Sequence, residues 1–370
     1  MSYARSARLG ALWLLALSAA CAPAAPDLVL LNGKVFTGDA SAPWAEALAI
    51  RGGRIVAVGT TADIERLAGP ASTSRDVGGR TVVPGFNDAH VVDPGGDVRT
   101  VAALGRAAVG EGITSMQWFA GTRTVAEVAR VLMAADLPLR IRVFRMPRSG
   151  PNGETIDSRP HLPPQPTLLL DIRGMGFVLG VADEARIRQA VGWGYGTEDL
   201  LAMEPEGGAA LTVYIDAVAT TGTAEVWMKK RPRLEHPGPA VTPLVRKVVE
   251  TGMTVVQRPD GAVPLASLVE AGVTLGLGSG SGSGPLNVLA WATSPQRGAE
   301  ALTMVQAVSA FTRGSAVAQL AEREKGHLTV GALADLAVLS IDPFSGSRDV
   351  VARGRSVLTL IGGRVVHDVP

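Results

Sequence analysis

Two spacings of apolar residues divide this chain. Near the front, short apolar runs are punctuated by turns. Leu28-Val29-Leu30-Leu31 and Val35-Phe36 flank Asn32-Gly33, and Ala45 to Ile50 and Ile55 to Val58 flank Arg51-Gly52-Gly53-Arg54. Val77-Gly78-Gly79-Arg80-Thr81-Val82-Val83-Pro84 adds another turn and strand. Runs of this length and composition read as β-hairpins. The same style returns at the end, in Ala334 to Leu339 and in Val357 to Val366 around Gly362-Gly363-Arg364. Short β segments at either end cannot each bury a face alone, so the economical packing is one small β-sandwich shared by both ends.

Between about residue 85 and residue 325 the spacing changes. Strand-like runs (Ile113 to Phe119, Leu139 to Phe144, Leu168 to Ile172, Leu211 to Ile215, Met253 to Gln257, Val273 to Leu277) alternate with helical ones. The helical runs are Thr124 to Ala135, Pro243 to Glu250, Leu265 to Ala271, Leu286 to Thr293 and Thr303 to Leu320. Alternation of this kind means βαβ units and a parallel sheet, and its extent suits a closed barrel. The expected fold class is therefore α/β: a (β/α)8 TIM-like barrel over 85–325, with a composite β-sandwich from 21–84 and 326–370. Barrel chemistry belongs at the C-terminal ends of the strands.

Composition narrows the function classes. With 46% hydrophobic and 19% charged residues, the 370-residue chain can bury a full core, which excludes disorder. Lys plus Arg (35) nearly balances Asp plus Glu (34), and aromatics are 4%, so no nucleic acid is expected as a partner. The first twenty residues differ: Arg5 and Arg8 precede an uncharged apolar stretch, Leu9 to Ala20, as in a secretory signal peptide spanning 1–20. Ser18-Ala19-Ala20-Cys21 follows and looks like the lipobox of a bacterial lipoprotein; Cys21 is the only cysteine, so it has no disulfide partner within the chain. The expectation is an exported protein held on the periplasmic face of a lipid bilayer through lipidation of Cys21. A plain cleavable signal with an incidental Cys21 stays open.

The strand ends carry a longer resemblance. Val83-Pro84-Gly85-Phe86-Asn87-Asp88-Ala89-His90-Val91-Val92, Arg233-Leu234-Glu235-His236, and Leu275-Gly276-Leu277-Gly278-Ser279-Gly280 come in that order. With Leu30 to Thr37 and Lys325 to Leu336, they resemble the amidohydrolase superfamily, and within it the amidohydrolase-3 branch, from about Asp27 to Asp368. The resemblance implies metal-dependent hydrolysis of carbon-nitrogen bonds other than peptide bonds. It implies a zinc site built from His-x-His on the first strand, often a carbamylated Lys, two later His, and an Asp on the last strand. Zinc lowers the pKa of its bound water to about 7, and a carboxylate moves the proton.

Taken residue by residue, that site is depleted here. His90 and His236 match family metal ligands. The second His position reads Val92, the lysine position Gly176, a later His position Tyr214, and the acidic position Gly280. Asp93, Asp216 and Asp260 are the nearest substitutes. His161 lies in a Pro-rich loop, and His327 and His367 lie in the sandwich, so none of the three reads as a ligand. The glycine-serine run from Gly278 to Gly284 lacks the Lys-Ser/Thr of a phosphate-binding loop. Two readings follow. The first is an amidohydrolase-like enzyme, catalytically impaired, with zinc at reduced occupancy and a small-molecule amide or cyclic amide as substrate. The second is a non-catalytic, lipid-anchored binding or scaffold protein derived from such an enzyme.

Overall fold

The computed structural model describes residues 24–147, 170–280 and 283–369; Cys21, the leader 1–20 and His161 lie outside them. Eight parallel strands form one sheet in chain order: β1 (Phe86–Val92), β2 (Ile113–Phe119), β3 (Arg140–Arg145), β4 (Leu170–Gly180), β5 (Leu200–Glu206), β6 (Arg233–Glu235), β7 (Thr254–Gln257) and β8 (Thr274–Leu277). Most strand residues are buried on both faces, as expected where helices cover the outside of a parallel sheet. Helices between the strands start on side-chain caps: Asp97 Oδ1 accepts from Thr100 N at 3.0 Å, and Thr124 and Glu127 form a capping box.

The seam between β8 and β1 brings the two ends of the sheet together. Ser279 N donates to Asp88 Oδ1 at 3.0 Å, and a Cβ on Gly278 would sit 2.8 Å from His90 N, so only glycine allows that approach. Behind β8, a single π turn at Ala310–Gly314 lets Ser315 Oγ accept from Leu277 N at 3.2 Å.

The two chain ends share a sandwich, as the terminal strand runs suggest, but the hairpin expected around Asn32-Gly33 is not formed: Leu28–Leu31 and Lys34–Phe36 lie in different sheets, so this turn crosses between the two layers. One sheet runs Arg54–Gly59, Ala47–Arg51, Leu28–Leu31, Thr73–Asp76; the other runs Arg364–Asp368, Ser356–Ile361, Leu336–Leu339, Thr81–Pro84, Lys34–Phe36, Trp44–Ala45. Front and back halves pair directly, with Val82 opposite Val338. Leu30, Leu48, Ile50 and Ile55 of the first sheet meet Val82, Leu336, Leu358 and Leu360 of the second in one core. Two of the Gly-Gly-Arg turns also touch: a Cβ on Gly53 would lie 3.0 Å from Gly362 O.

Sandwich and barrel floor share an apolar core, in which Phe36, Val83, Ala337 and Ile361 cluster with Phe86 and Ile113, and charged groups add to the contact. Arg140 of β3 grips Asp335 with bonds of 2.6 and 3.0 Å, and beside it, within the barrel, Arg142 of β3 reaches Asp171 of β4 at 2.6 Å. Lys325 donates to Ser115 Oγ of β2. Burial pushes its pKa down to about 7, with Asp335 pulling the other way and Arg142 and Arg140 adding to the drop. In the unfolded chain a lysine titrates near 10.4. Between about pH 7 and pH 10 the unfolded state therefore binds more protons, and stability rises with pH across that window; below about pH 7 both states are protonated and the slope vanishes. Urea unfolding at pH 7 and pH 9.5 should show the parent gaining roughly 2–3 kcal/mol relative to Lys325→Met. Parallel pH profiles for the two proteins would contradict this.

Candidate metal centre

Three strands deliver the polar groups at the mouth of the barrel. β1 carries Asp88 and His90, β5 carries Glu204, and β6 carries Arg233 and Glu235 with His236 directly after it. Alternation along a strand puts Arg233 and Glu235 on one side and would send the next residue to the other. His236 escapes that rule: its φ is 47°, a left-handed conformation uncommon outside glycine, while its N–H still donates to Val256 O at 2.9 Å. The turned backbone brings its ring edge-on to His90, with centroids 4.4 Å apart. Strain of this kind persists only where surrounding structure holds it, and it clusters at functional sites.

His90, Glu204 and His236 each offer a ligand atom, and all three atoms lie within 4.8 Å of one another. Both ring nitrogens of His236 are buried without a hydrogen-bond partner; Glu204 Oε1 stands 3.4 Å from Nδ1, too far for a good bond. Leaving buried polar atoms unsatisfied costs about 1–3 kcal/mol each, so the ring is set up for a partner the protein itself does not supply. His90 has only one nitrogen to give, because its Nδ1–H donates to Glu235 Oε2 at 2.8 Å and leaves Nε2 with the lone pair. Two imidazoles and a carboxylate are a three-ligand donor set suited to zinc with one position left open. The residues present fit a single ion.

Charge beneath this group is fully paired. Arg233, completely buried, donates from Nε to Glu235 Oε1 at 2.7 Å, from Nη2 to Ala89 O at 2.8 Å and from Nη1 to Gln117. Burial alone would raise the Glu235 carboxyl, but Arg233 and His90 outweigh it and hold the pKa at about 2. The same burial pushes His90 down, favouring the neutral ligand form despite Glu235. Burial pushes Asp88 up to about 6 against hydrogen bonds from Ser279 and from His90 N. Glu204 sits below the usual carboxylate range: burial opposes the shift, and His236, His90 and Arg258 more than offset it.

Comparison with known proteins gives this barrel a lineage. Residues 97–367 match the model of the amidohydrolase family, in its amidohydrolase-3 branch. The chain belongs to the amidohydrolase family. A solved adenosine deaminase from Xanthomonas campestris with bound zinc superposes with a TM-score of 0.68 at 19% identity, covering 94% of each chain, a likeness of fold. Among curated proteins, Protein LONG AFTER FAR-RED 3 of Arabidopsis thaliana is 43% identical over 65 residues, which is 18% of this chain and 11% of that protein. An N-substituted formamide deformylase of Arthrobacter pascens is 47% identical over 64 residues, 17% of this chain and 12% of that protein. The matches thus span about a ninth to an eighth of the curated relatives' own lengths.

Against the family pattern, this amidohydrolase brings His90 and His236 together and adds Glu204, which the motifs did not single out. The expected strand at Leu211 to Ile215 is instead helix, Gly208–Thr220, and this is a correction. Its buried residues Ala210, Leu211, Tyr214, Ile215, Ala217 and Val218 recur at helical spacing, and Tyr214 donates to Arg233 O at 3.1 Å, away from the ligand group. The strand that faces the site is β5, whose apolar run Leu200 to Met203 ends in Glu204; that closing acid was the available signal. Gly176 sits in β4 with no room for a lysine, since a Cβ there would meet Met146 Sδ at 2.7 Å and the Phe119 ring at 2.9 Å. Phe119 stacks on His90, centroids 4.2 Å apart, so an apolar plate fills the lysine's place. Val92 is 49% exposed at the strand end, and Gly280 has φ of 67°, which strains any side chain there. None of the proposed substitute acids joins the group. Asp93 holds Arg123 with two bonds, Asp216 pairs with Lys247 at 2.7 Å, and Asp260 binds Arg258 and Gln257.

Proposed function

We propose that the protein hydrolyses carbon-nitrogen bonds other than peptide bonds in small-molecule amides or cyclic amides, holding one zinc ion through His90 Nε2, Glu204 and His236. The observation that carries the reading is the convergence of these three donors around a buried imidazole whose own nitrogens are unsatisfied. When bound, zinc polarises a carbonyl and lowers the pKa of a water molecule. The chain's own residues do the rest. Glu235 fixes the tautomer and angle of His90, Arg233 fixes Glu235, and Phe119 shields the face of His90 from water.

Turnover is proposed to be slow. The turn after the last barrel strand offers Ser279 and Gly280 where an acid would move the proton, and Asp88, the nearby buried carboxyl, is tied to the Ser279 hydroxyl and amide. The same proposal keeps the protein exported and anchored to a bilayer through Cys21, supported by the apolar stretch after Arg5 and Arg8. The test is zinc analysis of the reconstituted protein together with a panel of formamides, N-acyl amino acids and cyclic amides. About one zinc per chain and slow hydrolysis lost in His90→Ala/His236→Ala are expected. Zinc without turnover on any substrate would favour the non-catalytic binding protein, and no zinc uptake would sink both the ion and the hydrolase.

A further inference from the structure

We propose that Arg258 is a carboxylate-binding residue of this site, so that its substrate is an amide that also bears a carboxylate. The inference rests on the reading of the site given above. Arg258 follows Gln257, the last residue of β7, which puts its side chain at the barrel mouth, one-third exposed at 33%. Its stem passes over the Gly280 turn: a Cβ on Gly280 would lie 3.3 Å from Arg258 Cδ. A guanidinium therefore stands beside the position where the last strand lacks its acid.

The fork is aimed and partly unused. Nε donates to Asp260 Oδ2, and Asp260 is itself held by Gln257 Nε2 at 2.7 Å, so the plane of the guanidinium is fixed from the backbone side. Nη2 lies 3.4 Å from Glu204 Oε1, too long to be a strong bond, and Glu204 is also one of the three donors of the ligand group. The Nη1–Nη2 edge is left without a strong protein acceptor among the described residues. That edge presents two parallel N–H groups, which match the two oxygens of a carboxylate. Because Nη2 reaches a donor of the group itself, a carboxylate held on the fork would place a neighbouring amide beside His236.

Isothermal titration separates the probe pair N-acetylglycine and N-acetylglycinamide, which differ only in carboxylate against amide, on the full chain with and without zinc. The acid should bind at least about tenfold tighter. Arg258→Met should abolish the preference, and Arg258→Lys, which keeps the charge and loses the fork, should retain part of it. Equal binding of the two probes by the parent, or an undiminished acid preference in Arg258→Met, would overturn the assignment. Zinc uptake measured in parallel keeps the two ideas apart: uptake that is unchanged in His90→Ala/His236→Ala would refute the hydrolase reading, while the acid preference of the zinc-free parent still decides the role of Arg258.

Discussion

Replacing Glu204 by glutamine should weaken zinc binding by about a hundredfold or more while leaving the fold intact. The substitution keeps the shape of the side chain and removes the charge of the one carboxylate in the donor group. Loss of an outer partner of a ligand already costs about 10–100-fold, and loss of a ligand's charge costs more. Glu204 is only partly buried at the end of β5, so glutamine there leaves no unpaired buried charge. Competition against a chromogenic chelator measures the affinity. An unchanged zinc constant would remove Glu204 from the site and leave two imidazoles, which do not complete a zinc centre.

Arg233→Met should be the most damaging single change to stability, at about 3–5 kcal/mol in urea unfolding. Arg233 is completely buried and neutralises Glu235, which is equally buried. Removing the guanidinium strands a carboxylate in the barrel interior, frees Gln117 Oε1 and Ala89 O, and takes a cation from the Phe144 ring, whose centroid is 4.7 Å away. Adding Glu235→Gln should recover part of the loss, because the two residues share one charge pair and their effects cannot add. Equal destabilisation by single and double variants would show that the pair does not act as a unit. His90 would lose its orienting carboxylate in the double variant, so zinc affinity should fall there even as stability returns.

Most of the architecture was legible in the sequence, because burial sets the residue spacing. The strand runs at both ends read directly as the sandwich, and alternating strand and helix runs read as the barrel, but the Asn-Gly pair that reads as a hairpin turn instead carries the chain from one sheet to the other. The site was half legible. His90 and His236 stand in motifs of fixed wording, whereas Glu204 is one acid closing an apolar run, a pattern shared with ordinary strand ends. The misreading at Tyr214 has a physical cause. Leu211-Thr212-Val213-Tyr214-Ile215 is β-branched and aromatic, with strong strand propensity, yet it packs as a helix because its buried positions continue at helical spacing through Val218. Left-handed His236 could not be seen at all, since nothing in a sequence reports that a non-glycine residue is bent out of its strand.

The pairing of Thr81–Pro84 with Leu336–Leu339 has a consequence for how the chain is born. Val82 emerges about 250 residues before Val338, and at about 5–20 residues per second the front hairpins wait roughly 12–50 s for the strand that completes their sheet. Throughout that interval the apolar faces of Leu30, Leu48 and Ile50 have no second layer, and the edge of Thr81–Pro84 offers unpaired backbone to any passing strand. The barrel's own core also takes in Ala337, Leu339, Val351 and Ile361, so the finished molecule is sealed only by its last strands. Anything that shortens or delays the final forty residues therefore acts first on the earliest part of the chain.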